Sequence, residues 1–369
     1  MTLPIVRPHH PNLADIDVYF DRALQSGKVT NNGERVQEFE RKLTEYFGVP
    51  TICFNNATSA LIAMLRAVDV QGMDVIVPSF TFVATPHSVV MAGGRPIFAD
   101  IDEKTLCLDP VDVDQRITGR TTAILGVDPY GICWQPPKHW GDGNIDILID
   151  SAPSFGSLID GEKAATRGRA QVYSFHATKP FSTMEGGCLC STDTALIDRA
   201  KAIRNFGISE NGKVEYVGIN GKMQEINAII GLKQLETWSV RLIARTDSAT
   251  GLRTALEDIK GLRVLDAPEN HNPVWTYQPV FIQHNFGASR DAVVKKLHDR
   301  GIMVRTYYEP CHQMPAYMLN PNFPSGHVPL RVTEHVAAQV IALPVYDDMT
   351  DDEIKQIASA FKAIQRDAA

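Results

Sequence analysis

The stretch QVYSFHATKPFSTMEGG, residues 171–187, combines a predicted strand with the most distinctive polar side chain of the sequence, Lys179. The residues from Gln171 to Phe175 include valine, tyrosine and phenylalanine, which favour a strand. The chain then becomes polar and contains Pro180 and two consecutive glycines, which predicts an irregular segment just past a strand end. Catalytic groups are often placed on such segments. Lys179 is therefore a candidate catalytic lysine, with an ordinary exposed loop lysine as the alternative.

Short apolar runs alternate with helical segments on the N-terminal side of this stretch. Runs of this kind, joined by crossover connections, predict a parallel sheet covered on both faces by helices. The predicted strands are TICF, MDVIVPS, RPIFADI, TTAILGVD, NIDILIDSA and QVYSFHA. We therefore expect an α/β fold with three layers and a mostly parallel central sheet. Ligands of such sheets bind beyond the carboxyl ends of the strands, and this rule selects Phe82, Asp150 and Ser174, each close to a predicted strand end, together with the turn at Thr58.

A long amphipathic helix follows, beginning near Lys222 and passing Arg245 without an internal stop signal. Helices of this length commonly connect two domains, so we predict a large domain at residues 1–245 and a small C-terminal α/β domain at residues 246–369. In the small domain the sequence predicts strands at GLRVLDAP, VWTYQPVFIQ and IMVRTYYEP, with SRDAVVKKLHDRG as a helix.

The composition argues against several classes of protein. The 369 residues include 44% hydrophobic and 21% charged residues and carry a net charge of −7, which is typical of a soluble globular protein. The chain contains no basic run that would indicate a nucleic-acid partner and no apolar run of the roughly 18 residues that cross a bilayer. Its N-terminus has no signal-peptide core, so we expect a cytoplasmic protein without a membrane partner.

The six cysteines are scattered, as expected for reduced cysteines in a cytosolic core. Only Cys188 and Cys190 are closely spaced, in a strand-like segment where both would point to one face. A metal site is an alternative interpretation of that pair, but we expect no metal.

Two further polar features lie where strands are predicted to end. A turn at residues 55–59 precedes a helix whose first turn contains Thr58 and Ser59, an arrangement that suits a phosphate or a simple helix cap. Asp150 closes the apolar run ILID, where a carboxylate needs a cation or several donors, unless it too is a helix cap. Pyridoxal 5'-phosphate requires a lysine amine, an anion beside its pyridine nitrogen and a phosphate cup. Lys179, Asp150 and the turn at Thr58 together offer this set, so the sequence predicts that cofactor.

The chain resembles the sugar aminotransferases of the DegT/DnrJ/EryC1/StrS group along nearly its whole length. The most specific matches are YSFHATKPFSTMEGG and GINGKMQEINAIIGLKQL, supported by VIVPSFTFVATPHSVVMAGGRPIFADID and IDSAPSFG. The resemblance implies the fold type I aminotransferase architecture with pyridoxal 5'-phosphate as cofactor. It also implies that Lys179 forms the internal aldimine and moves a proton between the substrate α-carbon and the C4' carbon of the cofactor.

The same resemblance assigns other site residues. It implies that Asp150 pairs with the pyridinium nitrogen and that Phe82 stacks on the ring. Tyr308 and His312 match a segment near the substrate, although a purely structural histidine is an equally good interpretation of His312.

The phosphate of the cofactor has its own set of matching residues. The resemblance implies that it is bound by Thr58, Ser59 and Ser174, and by the partner subunit's Asn220. The active site would then be shared, and a homodimer would be required for activity.

Two positions depart from the family pattern. Pro153 stands where glutamine or histidine usually contacts the 3'-oxygen side of the cofactor, so that the adjacent Ser154 substitutes or the contact is absent. The phosphate turn is NATSA where SGTAA is common. The retained Lys179 favours transamination, because relatives that act as dehydratases have histidine there.

These features predict a nucleotide-sugar aminotransferase with ping-pong kinetics. An amino acid, with L-glutamate as the expected donor, would supply the amine to a keto-deoxy sugar nucleotide, preferably at C4. A keto-cyclitol aminotransferase of the same fold is the alternative enzyme, and a non-catalytic cofactor-binding regulator is the alternative from another class.

Overall fold

The computed structural model describes residues 2–140, 143–319 and 328–367. Its strands are β1 (Thr51–Phe54), β2 (Asp74–Pro78), β3 (Arg95–Ala99), β4 (Thr121–Val127), β5 (Asp146–Asp150), β6 (Leu158–Ile159), β7 (Glu162–Lys163), β8 (Ala170–Ser174), β9 (Gly187–Cys190), β10 (Leu262–Val264), β11 (His271–Asn272), β12 (Gln278–Ile282) and β13 (Val340–Leu343). Its α-helices are α1 (Leu13–Ser26), α2 (Glu34–Phe47), α3 (Ala57–Ala67), α4 (Ala84–Met91), α5 (Pro110–Arg116), α6 (Thr194–Arg204), α7 (Glu225–Leu256), α8 (Arg290–Asp299), α9 (Pro315–Met318), α10 (Arg331–Gln339) and α11 (Asp351–Arg366).

Seven strands form the central sheet in the order β1-β9-β8-β5-β4-β2-β3. Neighbouring strands from β8 to β3 are parallel, and only β9 runs against its two neighbours, β8 and β1. The mostly parallel sheet predicted from the apolar runs is confirmed. All of the parallel strands therefore end at the same edge of the sheet.

The two faces of the sheet belong to different apolar cores, because successive side chains of a strand point to opposite sides. On β2, Val75 and Val77 pack in the core that includes Leu61 of α3 and Ile197 of α6. Ile76 lies on the other face, in the core that includes residues of α7 and α11. The sheet is thus the middle of the three expected layers.

A second, antiparallel sheet of three strands has the order β10-β12-β13. The predicted strand at IMVRTYYEP is wrong: Ile302 and Arg305 form only isolated bridges, and the third strand is β13, built from VIAL. The segment leaves the sheet edge after the bridge between Arg305 and Ala342. It then continues toward Tyr308, which lines the cavity described below.

The proposed boundary between residues 1–245 and 246–369 falls inside α7, which is continuous over 32 residues. Leu252 and Leu256, near the end of that helix, share one core with Ile124 of β4 and Phe281 of β12. The two-domain division remains a proposal, with α7 common to both parts. In the described ranges, none of the helices has the length and apolar character needed to cross a membrane.

Candidate active site

A cavity of about 580 Å³ opens at the carboxyl edge of the central sheet. It is surrounded by the start of α3, the ends of β4, β5 and β8, and the loop that follows β8. The predicted site residues that line it are Thr58, Ser59, Phe82, Asp150, Ser174, Lys179 and Tyr308. The fold therefore brings to one place residues that are more than 200 positions apart in the chain.

Lys179 lies in a tight turn after β8, in which its amide donates to the carbonyl of His176 at 2.8 Å. Burial lowers the pKa of the Lys179 amine to about 8, although the nearby Asp150 carboxylate acts in the opposite direction. Low polarity disfavours the charged ammonium form. A substantial fraction of the neutral, nucleophilic amine is therefore present at mildly alkaline pH.

Asp150 is buried at the end of β5, with only 5% of its surface exposed. Its carboxylate accepts hydrogen bonds from the Thr85 hydroxyl at 2.7 Å and from the Ala152 amide at 3.1 Å. Burial raises the pKa of Asp150, and these two donors limit the increase. Thr85 was not predicted, because nothing in the sequence of α4 indicates which of its hydroxyls faces another strand end.

A second strand-end carboxylate lies behind the cavity and was also missed. Asp128, directly after β4, is completely buried and forms two 2.7 Å hydrogen bonds with the guanidinium of Arg167. Burial disfavours the charged guanidinium, but the pairing with Asp128 outweighs it and raises the pKa of Arg167. The signal that identified Asp150, an acid closing an apolar run, also fits Asp128.

The Asp128 pair determines the role of Ser154. The Ser154 hydroxyl donates to Asp128 at 2.6 Å and is buried away from the cavity. Pro153 lines the cavity, and its carbonyl accepts from the Thr276 hydroxyl at 2.7 Å. Ser154 is thus not available to replace the usual glutamine or histidine. Of the two alternatives, the structure favours the one in which the contact to the 3'-oxygen side of the cofactor is absent.

The predicted phosphate turn forms the N-terminus of α3. Asn56 caps the helix by accepting from the Ser59 amide at 2.8 Å. The amides of Ala57 and Thr58 have no acceptor within a helix that begins at Ala57. A Cβ atom at Gly187 would lie only 2.7 Å from the Ala57 backbone. The glycine therefore allows β9 to pack directly against this helix start.

Two aromatic side chains contribute different surfaces to the cavity. Phe82 is 56% exposed, and its ring faces a space that a flat aromatic ligand could share. Tyr308 is almost fully buried, with its ring 5.5 Å from Phe80 and 5.4 Å from Tyr307, centroid to centroid. Tyr308 is therefore held rigidly beside the cavity.

Two predicted residues lie outside the cavity lining. Asn220 is exposed, and its carbonyl accepts from the Asn55 side chain at 3.3 Å. His312 is buried, with one ring nitrogen 2.7 Å from the Ser79 hydroxyl and the other 3.2 Å from Glu334. These contacts favour the structural interpretation of His312.

The arrangement fits pyridoxal 5'-phosphate. Among the described residues the Asp150 carboxylate accepts from the neutral donors Thr85 and Ala152, and the charge of Lys179 offsets its burial only in part. A protonated ring nitrogen would supply the close cation that a buried carboxylate needs. Lys179 offers an amine in the same cavity, and the free amides of α3 suit a phosphate. When bound, the cofactor would act as an electron sink for the substrate α-carbon.

Comparison with known proteins agrees with this geometry. A model of the DegT/DnrJ/EryC1/StrS aminotransferase family matches residues 13–362. The chain is 33% identical over 370 residues to the dTDP-4-amino-4,6-dideoxy-D-glucose transaminase of Shigella dysenteriae, covering 98% of each chain. It is 31% identical over 363 residues to the GDP-perosamine synthase of Caulobacter vibrioides, covering 94% of each. The crystal structure of DesI in the presence of its TDP-sugar product matches with a TM-score of 0.91 at 33% identity, covering 100% of this chain and 94% of that chain.

Proposed function

The chain belongs to the DegT/DnrJ/EryC1/StrS aminotransferase family, and from this premise we propose that it aminates C4 of a keto-deoxy sugar nucleotide, with L-glutamate as donor. The family, the fold type I architecture, the aminotransferase activity and the cofactor pyridoxal 5'-phosphate are confirmed. The preference for C4 is supported by the activity for which the Shigella relative is named. The keto-cyclitol acceptor has no comparable support among these relatives.

The observation that carries the proposal is the common cavity of Lys179 and Asp150 at the carboxyl edge of the sheet. We assign to Lys179 the attachment of the cofactor and the movement of the substrate α-proton, because its neutral amine is accessible near pH 8. We assign to Asp150 the binding of the cofactor ring nitrogen in its protonated form. The amides at the start of α3, with Thr58 and Ser59, would bind the phosphate.

The experiment that tests the function separates the two half-reactions. The purified, cofactor-loaded protein is mixed with L-glutamate alone, and 2-oxoglutarate formed in a single turnover is measured together with the visible spectrum. We expect one equivalent of 2-oxoglutarate per subunit, and subsequent loss of the stored amine to a 4-keto-6-deoxy sugar nucleotide. Amination of a keto-cyclitol but not of the sugar nucleotide would replace the proposed acceptor. The absence of both half-reactions would favour the regulator.

We further propose that the active enzyme is a homodimer and that the partner subunit's Asn220 completes each site. Asn220 is exposed in the single chain, and apolar side chains of the same region are also exposed: Phe206 by 51%, Val214 by 71% and Val217 by 80%. Three exposed apolar side chains in one loop region indicate a surface that another protein chain covers. A second copy of this chain is the occupant that would bring Asn220 to a cavity.

Mixing two inactive variants tests the shared site. Asn220→Ala and Lys179→Ala homodimers should each be inactive or strongly impaired. After dissociation and random reassociation, about a quarter of the wild-type activity should return, because half of the dimers are hybrids and each hybrid has one intact site. Activity that fails to return, although hybrid dimers are detected by mass, would place Asn220 in the same site as its own Lys179 or outside the site.

We place the enzyme in the cytoplasm. All six cysteines are buried and none forms a disulfide, which is the usual state in a reducing compartment.

A further inference from the structure

A buried cluster of charges lies next to the Lys179 turn and lines a small cavity together with it. Arg241 and Arg245, one turn apart on α7, both contact the carboxylate of Asp347, which follows β13. The distances are 2.6 Å from Arg241 Nη2 to Asp347 Oδ2 and 3.0 Å from Arg245 Nη1 to Asp347 Oδ1. None of the three side chains is more than 16% exposed, so the cluster is largely removed from water.

Arg241 connects the cluster to the catalytic lysine. The same Nη2 group that contacts Asp347 donates to the carbonyl of Pro180 at 2.8 Å. Pro180 directly follows Lys179, and both line a small cavity together with Arg241 and Asp347. The planar guanidinium has fixed donor directions. A guanidinium held by Asp347 therefore restrains the peptide group that follows Pro180, one residue beyond Lys179.

Arg245 connects the cluster to the turn that follows Asp150. Its guanidinium donates to the carbonyls of Trp275 at 2.9 Å and Thr276 at 3.1 Å. The Thr276 hydroxyl in turn donates to the carbonyl of Pro153, in the turn after β5. One carboxylate thus lies between two chains of contacts, one toward Lys179 and one toward the Asp150 turn.

We infer that Asp347 is a positioning residue that holds the turns of Lys179 and Asp150 in their mutual geometry through Arg241 and Arg245. The inference builds on the proposed catalytic role of Lys179. Neither arginine loses its charge in a protein, so loss of the Asp347 carboxylate leaves two buried cations facing each other. The Pro180 carbonyl is then held by a guanidinium that keeps the Gln234 side chain as a neutral partner but has lost its anionic one, and the lysine turn loosens.

The neighbouring residue provides a matched control. Asp348 is 69% exposed and contacts only the side chain of Arg7, at 3.1 Å, within the described parts of the chain. Arg7 keeps its closer and less exposed partner, Glu353 at 2.5 Å, when Asp348 is replaced. Asp347→Asn and Asp348→Asn remove the same charge from adjacent positions. A difference between the two variants therefore reports the buried contacts of Asp347 and not the change in net charge.

The experiment measures the accessibility of Lys179 in the cofactor-free protein. The rate at which a small acylating reagent labels Lys179 is followed by peptide mass spectrometry as a function of pH. In the wild-type protein the midpoint should lie near 8. The other charged groups lining the two cavities at Lys179 are Arg7, Asp150, His176 and Glu185, and they are the same in every variant.

We expect Asp347→Asn to move the labelling midpoint upward, because a loosened turn hydrates the ammonium form. Turnover of the loaded enzyme should fall roughly 10-fold or more, as a misplaced catalytic group requires, while Asp348→Asn leaves both quantities unchanged. A purely electrostatic effect of the lost carboxylate would lower the midpoint. A lowered or unchanged midpoint in Asp347→Asn, or equal shifts in the two variants, overturns the inference.

A second variant keeps the test decisive if Asp347→Asn does not fold. Arg241→Lys retains the charge but cannot contact both Asp347 and the Pro180 carbonyl with a fixed fork, so it should also raise the midpoint. A wild-type midpoint in Arg241→Lys overturns the inference. If the proposed function is wrong, the wild-type enzyme will give no half-reaction with L-glutamate. The labelling assay needs no turnover, so it tests the role of Asp347 separately.

Discussion

The Lys179→Ala variant should lose turnover by roughly 10⁴-fold or more, the upper range for removal of an acid–base group, and should no longer retain cofactor through a covalent bond. The physical reason is that Lys179 supplies both the nucleophile that attaches the cofactor and the base that moves the substrate proton. Borohydride reduction followed by intact-protein mass measurement detects the covalent attachment. Steady-state transfer of the amine from L-glutamate measures turnover.

The control for this variant is Lys295→Ala, which removes an equal side chain from an exposed position on α8. Lys295 is 77% exposed and pairs with Asp299 at 2.8 Å. Its loss should affect neither turnover nor attachment of the cofactor. A Lys179→Ala protein that still yields the reduced covalent adduct would show that another lysine carries the cofactor.

The Asp150→Asn variant should show opposite effects on activity and on stability. Turnover should fall by roughly 10²- to 10⁴-fold, because a neutral amide does not favour a protonated ring nitrogen. The cofactor-free variant should nevertheless melt at a higher temperature than the cofactor-free wild-type protein near neutral pH. Isosteric replacement removes a buried charge that, among the described residues, has the neutral donors Thr85 and Ala152 and only the weaker, longer-range influence of Lys179 to offset its burial.

The sign of the stability effect follows from the pKa of Asp150, which burial raises above its usual value of 3.8. At a pH between the usual pKa and the raised pKa of folded Asp150, the folded protein holds a proton that the unfolded chain has released. The free energy of unfolding therefore decreases as the pH rises through this window. Above the window the ionised carboxylate remains destabilising. The melting temperatures of variant and wild type should therefore differ at neutral pH and converge below the usual pKa.

Asp146→Asn is the matched control, since Asp146 begins the strand that Asp150 ends. Asp146 contacts Arg169 at 2.7 Å near the surface, where an ion pair contributes little. This variant should retain turnover and should not gain stability. An Asp150→Asn enzyme with wild-type turnover would remove Asp150 from the proposed cofactor site, whatever its melting temperature.

Local sequence patterns were sufficient to predict the central sheet and to place several of the candidate site residues at its edge. The apolar runs predicted every parallel strand of the central sheet, because strands buried on both faces carry an unbroken apolar signal. The strand-end rule then selected Phe82, Asp150, Ser174 and the Thr58 turn as neighbours of one edge, without knowledge of the strand order. The roles of Phe82, Ser174 and Asn220 came from family resemblance and remain predictions.

The errors and omissions concern features that depend on contacts between residues far apart in the sequence. The segment IMVRTYYEP has strand-forming residues, yet beyond single bridges at Ile302 and Arg305 it leaves the sheet edge. Thr85 reaches Asp150 across 65 positions. Ser154 has a hydroxyl suited to a cofactor contact, but the buried Asp128 accepts its hydrogen bond.

The sequence by itself determined that Lys179 follows one buried strand and that Asp150 ends another, because both facts depend on local periodicity and on the common direction of parallel strands. Only the tertiary structure decided how firmly these two residues are held. Asp347 lies 106 positions from Arg241 and 102 from Arg245, and no local pattern indicates that their charges meet. Their contact depends on the packing of α7 against the segment after β13, which brings one buried carboxylate between two arginines next to the lysine turn.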